Sequence, residues 1–125
     1  MTITSTSTSA ALQGLAHALD APRGAGVPLG SWRWTVRKRM TAVRDQLVAE
    51  TLPVGAFPAR EVGLARERDA LLARLSALGA KVLVDPDVDR VRDQLHRLVV
   101  DVAHHVQRRH DLAYDEVELE LGGSE

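Results

Sequence analysis

The histidines of the C-terminal third are the residues whose types could support chemistry. His96, His104, His105 and His110 lie in one segment that also carries several Asp and Glu residues. Imidazole and carboxylate groups are the usual protein ligands of zinc and iron. A helix that presented these side chains on one face could therefore hold a metal ion.

Helical geometry argues against that site. At about 100° per residue, His105 lies about 80° to one side of the apolar stripe of this segment, and His110 lies about 60° to the other side. His104 falls on the far face, and no two histidines have the i, i+4 spacing that brings two imidazoles to one ion. We therefore expect no metal and no cofactor. The alternative is a metal- or gas-sensing site that uses His104, His105 and His110 with carboxylates from other helices.

The element that carries the histidines is the longest predicted helix. Its apolar residues recur at three- and four-residue steps, at Val91, Leu95, Leu98, Val102 and Val106. Asp85 and Pro86 provide an N-cap and a first helical residue. Because Val117–Leu121 alternates with period two, this last stretch is expected to leave the helix as an extended segment.

Three further helices are predicted before it. A short one begins at Ser9, a second runs from about Ser31 to Thr51, and a third runs from about Ala59 to Leu78, with Gly79 as its stop signal. Short connections between long helices favour antiparallel neighbours. The sequence predicts an all-α fold, an antiparallel up-and-down bundle of three long helices plus a short N-terminal helix. We divide it into a disordered tail (1–8), a single helical-bundle domain (9–121) and a C-terminal tail (122–125).

The composition narrows the function classes. The 125 residues are 45% hydrophobic and 26% charged, as in an ordinary globular domain, and the net charge of −1 gives no general affinity for nucleic acid. The chain has no cysteine, which excludes disulfides, thiolate metal sites and a cysteine nucleophile. We expect a cytoplasmic protein without a membrane span. Since no phosphate-binding glycine loop or nucleophile motif is present, we also expect that it is not an enzyme.

Two segments resemble the hemerythrin-like bundles of the HHE type, in particular short actinobacterial members. His105-Val-Gln-Arg-Arg109 is similar to the His-x-x-x-Glu of that family, and Leu64–Leu72 is similar to its Leu-x-x-Glu-His-x-x-Leu-Leu. The resemblance covers about residues 31–121 and implies a helical bundle that cradles two irons. In this chain, however, Arg109 stands at the Glu position and Arg68 at the His position. A cation cannot ligate a cation, so the resemblance implies a bundle that has lost its metal.

The two arginines lead to a second expectation. Arg68 and Arg109 both fall on apolar seams of their helices, and a buried guanidinium requires partners. We predict an internal network of these arginines with carboxylates, for which the candidates by helical position are Glu50, Asp69, Asp101 and Glu116. The alternative is that both arginines lie at the edge of the bundle and extend their charged ends into solvent.

The second helix has an unusual outer face. Trp34 lies about 160° from the core stripe, beside Arg37 and Lys38. The short first helix could cover Trp34 through Leu12, Leu15 and Leu19. Alternatively, the three residues could form a surface for a protein partner or for self-association, or could bind nucleic acid. Residues 111–125 carry six acidic residues and no basic one, so the simplest partner for this basic face is the acidic segment of the same chain or of a neighbour.

Overall fold

The described part of the chain forms four helices. The computed structural model describes residues 3–21, 28–51 and 55–123, and side chains from Thr8 onward in the first helix. The helices are α1 (Ile3–Asp20), α2 (Leu29–Val48), α3 (Pro58–Val84) and α4 (Val88–Gly123), and the described ranges contain no strand. The predicted all-α class is confirmed.

The helices form an up-down-up-down bundle. Each helix packs against its neighbours in sequence, and α1 packs against α4 to close the ring, so that α2 and α4 lie across a diagonal. Polar contacts fix the directions: Arg60 near the start of α3 bonds Asp115 near the end of α4, while Asp20 at the end of α1 lies 3.2 Å from His96 in the first half of α4. The core is aliphatic, with Leu19, Val36, Val43, Leu47, Val82, Leu95 and Val102 fully buried.

The first helix is longer than predicted. It begins at Ile3, whereas the sequence predicts a tail to residue 8 and a helix from Ser9. Thr8 is completely buried, so tertiary packing outweighs the modest helix propensity of the Thr/Ser run. This helix covers Trp32, whose indole donates to the Ala18 carbonyl oxygen at 3.2 Å. The predicted flexible connection after Ala21 lies mainly in residues 22–27, outside the described residues.

The third helix passes through Gly79 and ends at Val84, so the stop predicted at Gly79 is wrong. Gly79 is buried because the Arg37 guanidinium lies over it, 3.3 Å from the place a Cβ would occupy. The end of α3 is capped by Arg33, which donates to the carbonyl oxygens of Val82 and Asp85. The glycine thus serves a close approach between α2 and α3.

Both predicted ends of the fourth helix require correction. The N-cap is Asp87, since its carboxylate accepts from the Arg90 amide at 3.2 Å, while Asp85 accepts from the Asp87 amide and closes the preceding turn. At the other end, residues 117–121 are helical and α4 continues to Gly123. No strand is described against which this segment could pair, and Leu and Glu are good helix formers. The predicted tail 122–125 is therefore helical at its start, and residues 124–125 lie outside the described residues.

The fourth helix is much longer than its neighbours. Its 36 residues span about 54 Å, compared with about 40 Å for α3 and about 30 Å for α2. Because Arg60 contacts Asp115, the last residues of α4 extend beyond the start of α3. Among the described helices, none is long and apolar enough to cross a membrane.

Candidate functional site

A cluster of charged side chains interrupts the aliphatic core toward the C-terminal half of α4. Along this helix, buried residues recur at alternating steps of four and three, at Val91, Leu95, Leu98, Val102, His105, Arg109 and Leu112, and Val106 is buried beside His105. His105 is 0% exposed and Arg109 is 8% exposed. Both residues therefore occupy core positions of a bundle seam.

The imidazole of His105 lies between two carboxylates. Glu50, in the turn just after α2, approaches from one side, with its Oε1 atom 2.8 Å from Nε2. Glu67 approaches from α3, with its Oε1 atom 2.6 Å from Nδ1. The side chain of Glu50 is fully buried, and that of Glu67 is 28% exposed. Three elements of the bundle thus converge on one histidine.

Two arginines complete the cluster. Arg109 Nη1 lies 3.2 Å from the second carboxylate oxygen of Glu50, which is close enough for an ion pair. The two atoms are not aligned for a hydrogen bond, and both are buried without a hydrogen-bond partner. Arg108, which is half exposed, donates from Nε and Nη2 to the two oxygens of Glu67 at 3.1 and 2.5 Å. We call these five residues, Glu50, Glu67, His105, Arg108 and Arg109, the ion cluster.

The cluster fixes the charge of its members. Burial by itself lowers the pKa of His105, but the hydrogen bonds to Glu50 and Glu67 outweigh it and the net shift is upward from 6.5. Burial raises the pKa of Glu67, but Arg108 and His105 outweigh it and the net shift is downward from 4.5. Both shifts favour the charged imidazole, because each ring nitrogen faces a carboxylate oxygen that can only accept a hydrogen bond.

The cluster does not fit a metal centre. Both ring nitrogens of His105 are already bonded, and they face carboxylates on opposite edges of the ring, so no common point is left for an ion. His104 and His110 are exposed and do not converge on His105. Within the described ranges, no group of three or more His, Asp or Glu side chains is arranged to hold a metal ion.

Only part of the predicted network meets here. Glu50 and Arg109 are paired in the interior, but Arg68 lies at the edge of the bundle, with Nε 3.4 Å from the exposed Asp69. Asp101 bonds Arg74 across the α3–α4 surface at 2.7 Å. For Arg68, Asp69 and Asp101 the network prediction is wrong, because their side chains reach solvent and pair at the surface of the bundle.

The sixth predicted member, Glu116, lies near the far end of α4, apart from the ion cluster. Its carboxylate approaches Gly55 and neighbours Glu61, which accepts the amides of Gly55 and Phe57. Partial burial and the adjacent Glu61 raise the pKa of Glu116. Among the described residues no arginine forms an ion pair with it, so the predicted Arg–carboxylate pairing is wrong here as well.

Three members of the ion cluster, Glu67, His105 and Arg108, were not predicted as part of the network. On the α3 wheel, Glu67 and Arg68 lie about 50° to either side of the apolar seam, so position alone gives them equal access to the core. Glu67 faces α4, where Arg108 and His105 bind it. The signal available in the sequence was the histidine: a buried imidazole requires a partner for each ring nitrogen.

The outer face of α2 remains open. Trp34 is 59% exposed, so the first helix does not cover it and that explanation is wrong. Lys38 is also exposed, whereas Arg37 is half buried over Gly79 and donates to Thr41 at 3.2 Å. Of the three residues predicted to form a partner surface, two are accessible and the third forms the wall of the adjoining groove.

The basic face of α2 and the acidic segment of the same chain cannot meet. The start of α2 lies beside the end of α3, where Arg33 bonds Asp85, while the end of α4 lies beside the start of α3. These two ends are separated by about 40 Å, the length of α3. Only the acidic segment of a neighbouring molecule could therefore pair with this face.

Comparison of the chain with models of protein families, with curated proteins and with solved structures gives no match.

Proposed function

We propose that the protein is a non-catalytic helical bundle that acts through protein–protein contacts, with the outer face of α2 as the contact surface. The observation that carries the proposal is Trp34, a large aromatic side chain that is 59% exposed on a regular helix. Trp and Arg are enriched among the residues that dominate binding energy at interfaces. Lys38 beside it adds an exposed positive charge.

The surface is a continuous strip. Starting from Trp34, the residues on this face recur at steps of three and four, and we call the set the outer seam of α2: Trp34, Arg37, Thr41, Arg44 and Val48. It spans about 21 Å along the helix. Val48 at the other end is also 59% exposed. The seam borders a groove of about 340 Å³ against α3, which is also lined by Leu72 and Ser76.

The state of the interior supports a non-catalytic role. The titratable groups with the strongest burial, Glu50 and His105, are bonded to one another inside the bundle. A general acid or base must reach a substrate proton within hydrogen-bond distance, and both ring nitrogens of His105 are already engaged. The ion cluster therefore acts as a structural support for the bundle.

We also propose that the bundle is a hemerythrin-like fold without its metal. Two features support the relationship: the up-down-up-down arrangement and the place of Arg109. The resemblance places a metal-ligating Glu at position 109. In this chain the guanidinium of Arg109 lies there in the core, 3.2 Å from Glu50. In this proposal, positively charged side chains take the place of the metal ions that the resemblance implies.

In-cell cross-linking tests the contact surface. A photo-reactive amino acid is placed at Trp34, and as a matched control at Ala77, an exposed residue on the α3–α4 side of the bundle. We expect a discrete cross-linked protein product from position 34 that is lost when Lys38→Glu is added, and none from position 77. Equal or absent protein cross-linking at the two positions would contradict the proposal.

Nucleic acid is the competing partner, and the same variant addresses it. Arg33 donates to two carbonyl oxygens at the end of α3, which leaves one cation fewer for phosphate contacts. We expect no retention on heparin at moderate salt. Steeply salt-dependent retention that disappears in Lys38→Glu would favour nucleic acid instead.

A further inference from the structure

The fourth helix carries an exposed strip of its own. At steps of four and three along its outer face lie the residues that we call the outer seam of α4: Gln107, Asp111, Tyr114, Glu118 and Leu121. All five are exposed, with Tyr114 at 65% and Leu121 at 67%. The seam combines two acidic residues seven positions apart with apolar side chains, and it contains no basic residue.

The two outer seams match in antiparallel register. From Trp34 to Val48 the steps along α2 are three, four, three and four. From Leu121 back to Gln107 the steps along α4 are the same. In this register Arg37 faces Glu118 and Arg44 faces Asp111. The two charges match because the two arginines are one heptad apart on α2, about 10.5 Å, and the two acidic residues are one heptad apart on α4.

The remaining positions also match. Trp34 meets Leu121, and Thr41 meets Tyr114, so aromatic and aliphatic surface is covered at the same time as charge is neutralised. Parallel register would shift the four- and three-residue steps out of phase. Charges in the seams are otherwise only partly used within one molecule. Arg44 lies 3.8 Å from exposed Asp45, Asp111 accepts from Gln107, and Arg37 is half buried over Gly79 and donates to Thr41.

One molecule cannot make this contact with itself. Helices α2 and α4 occupy a diagonal of the bundle, so that their outer faces point away from each other. A second copy must supply the partner seam. Since each copy then retains one free seam, the contact is of the head-to-tail type, which continues into chains unless the rotation between copies closes a ring.

We propose that the partner of the outer seam of α2 is the outer seam of α4 of a second copy, and that the protein assembles head to tail through this contact. The inference rests on the proposed function, because it names the occupant of the same surface. The strip is one helix face about 21 Å long, at the small end of specific interfaces. Assembly is therefore weak and depends on protein concentration.

Charge reversal on each seam tests the proposal. Arg44→Glu disables the α2 seam, Glu118→Arg disables the α4 seam, and Asp69→Arg is the control for a charge reversal at an exposed carboxylate outside both seams. Mass is measured by light scattering or sedimentation between about 1 µM and about 1 mM, the range of weak complexes. We expect the wild type and the control to grow in mass with concentration, while each seam variant weakens assembly about tenfold or more.

Mixing the variants gives the sharper result. Arg44→Glu retains an intact α4 seam, and Glu118→Arg retains an intact α2 seam. An equimolar mixture should therefore form a dimer and stop there, at concentrations at which neither variant assembles alone. Circular dichroism of each variant, which should equal the wild type because both residues are exposed, confirms that the fold is retained.

The outcomes separate the two proposals. A wild type that stays monomeric throughout, or a mixture that behaves as the sum of its parts, would overturn head-to-tail assembly. The proposed contact surface would then be judged by cross-linking from Trp34 alone: a product that contains another protein keeps it, and the lack of any specific product removes it.

Discussion

Glu50→Gln is the substitution that should most disturb the bundle. Glu50 has no exposed side-chain surface and touches two cations, His105 at 2.8 Å and Arg109 at 3.2 Å. The ion cluster contains three cationic and two anionic side chains, so the loss of a carboxylate leaves its positive charges in larger excess. Removing one partner of a buried ion pair costs about 3–5 kcal/mol.

This loss is large enough to measure by thermal unfolding. With an unfolding entropy of about 2.1 cal/mol/K per residue, 125 residues give a decrease in Tm of about 10–20 °C. The decrease should be larger at pH 5.5 than at pH 8, because the imidazole of His105 has lost one of the two hydrogen bonds that hold it charged and must deprotonate or remain a poorly paired buried cation.

The control is Asp101→Asn, which removes an equally short but half-exposed pairing with Arg74. Pairs of this kind contribute less than about 1 kcal/mol. If the Tm of Glu50→Gln stayed within about 3 °C of the wild type at pH 5.5, a change of under about 1 kcal/mol, the reasoning about the buried cluster would be refuted.

Three further outcomes follow from the contacts. Arg109→Met should cost less than Glu50→Gln, by about 2 kcal/mol or more, because it removes a cation with unpartnered nitrogens and leaves the Glu50–His105 bond intact; an equal loss in chemical denaturation would contradict this. Wild-type stability should be greatest between about pH 5 and pH 6.5. The contribution of Glu67 to stability, which arises because its pKa is lowered, is lost as pH falls below 4.5. The contribution of His105, whose pKa is raised, is lost as pH rises above 6.5. Denaturant midpoints that rise steadily from pH 6 to pH 9 would be inconsistent with this sign. Asp87→Ala should destabilise the fold by about 1 kcal/mol through loss of the α4 N-cap, and similar urea midpoints for variant and wild type would argue against that cap.

The all-α architecture could be predicted because it depends on local signals. Stripes at three- and four-residue spacing indicated each helix, and the turn residues separated them. The ends were less predictable, since they depend on partners distant in sequence. Gly79 reads as a stop in isolation, but the Arg37 guanidinium that lies over it comes from another helix. Similarly, the period-two segment after Val117 reads as extended, yet it continues a helix already formed.

The ion cluster could be predicted only in part, because its members also come from segments that are distant in sequence. Arg109 and Glu50 were identified from their positions, but His105 was placed at the edge of its stripe because a period of 3.6 residues was applied. Apart from Val106, the buried residues of α4 follow a period of 3.5, the repeat of helices that coil around their neighbours, and this period places His105 on the seam. Which of Glu67 and Arg68 faces inward depends on α4 and could not be read from α3 alone.

Disulfide trapping tests the contact surface most directly. The chain has no cysteine, so introduced cysteines are unique. Thr41 and Tyr114 face each other at the middle of the antiparallel register, and a mixture of Thr41→Cys and Tyr114→Cys molecules should form a disulfide-linked heterodimer under mild oxidation. A mixture of Ala77→Cys with Tyr114→Cys, which pairs a residue outside the α2 seam, should form far less. Equal yields from the two mixtures, or no heterodimer from the first, would contradict an α2 surface that binds α4 of a second copy.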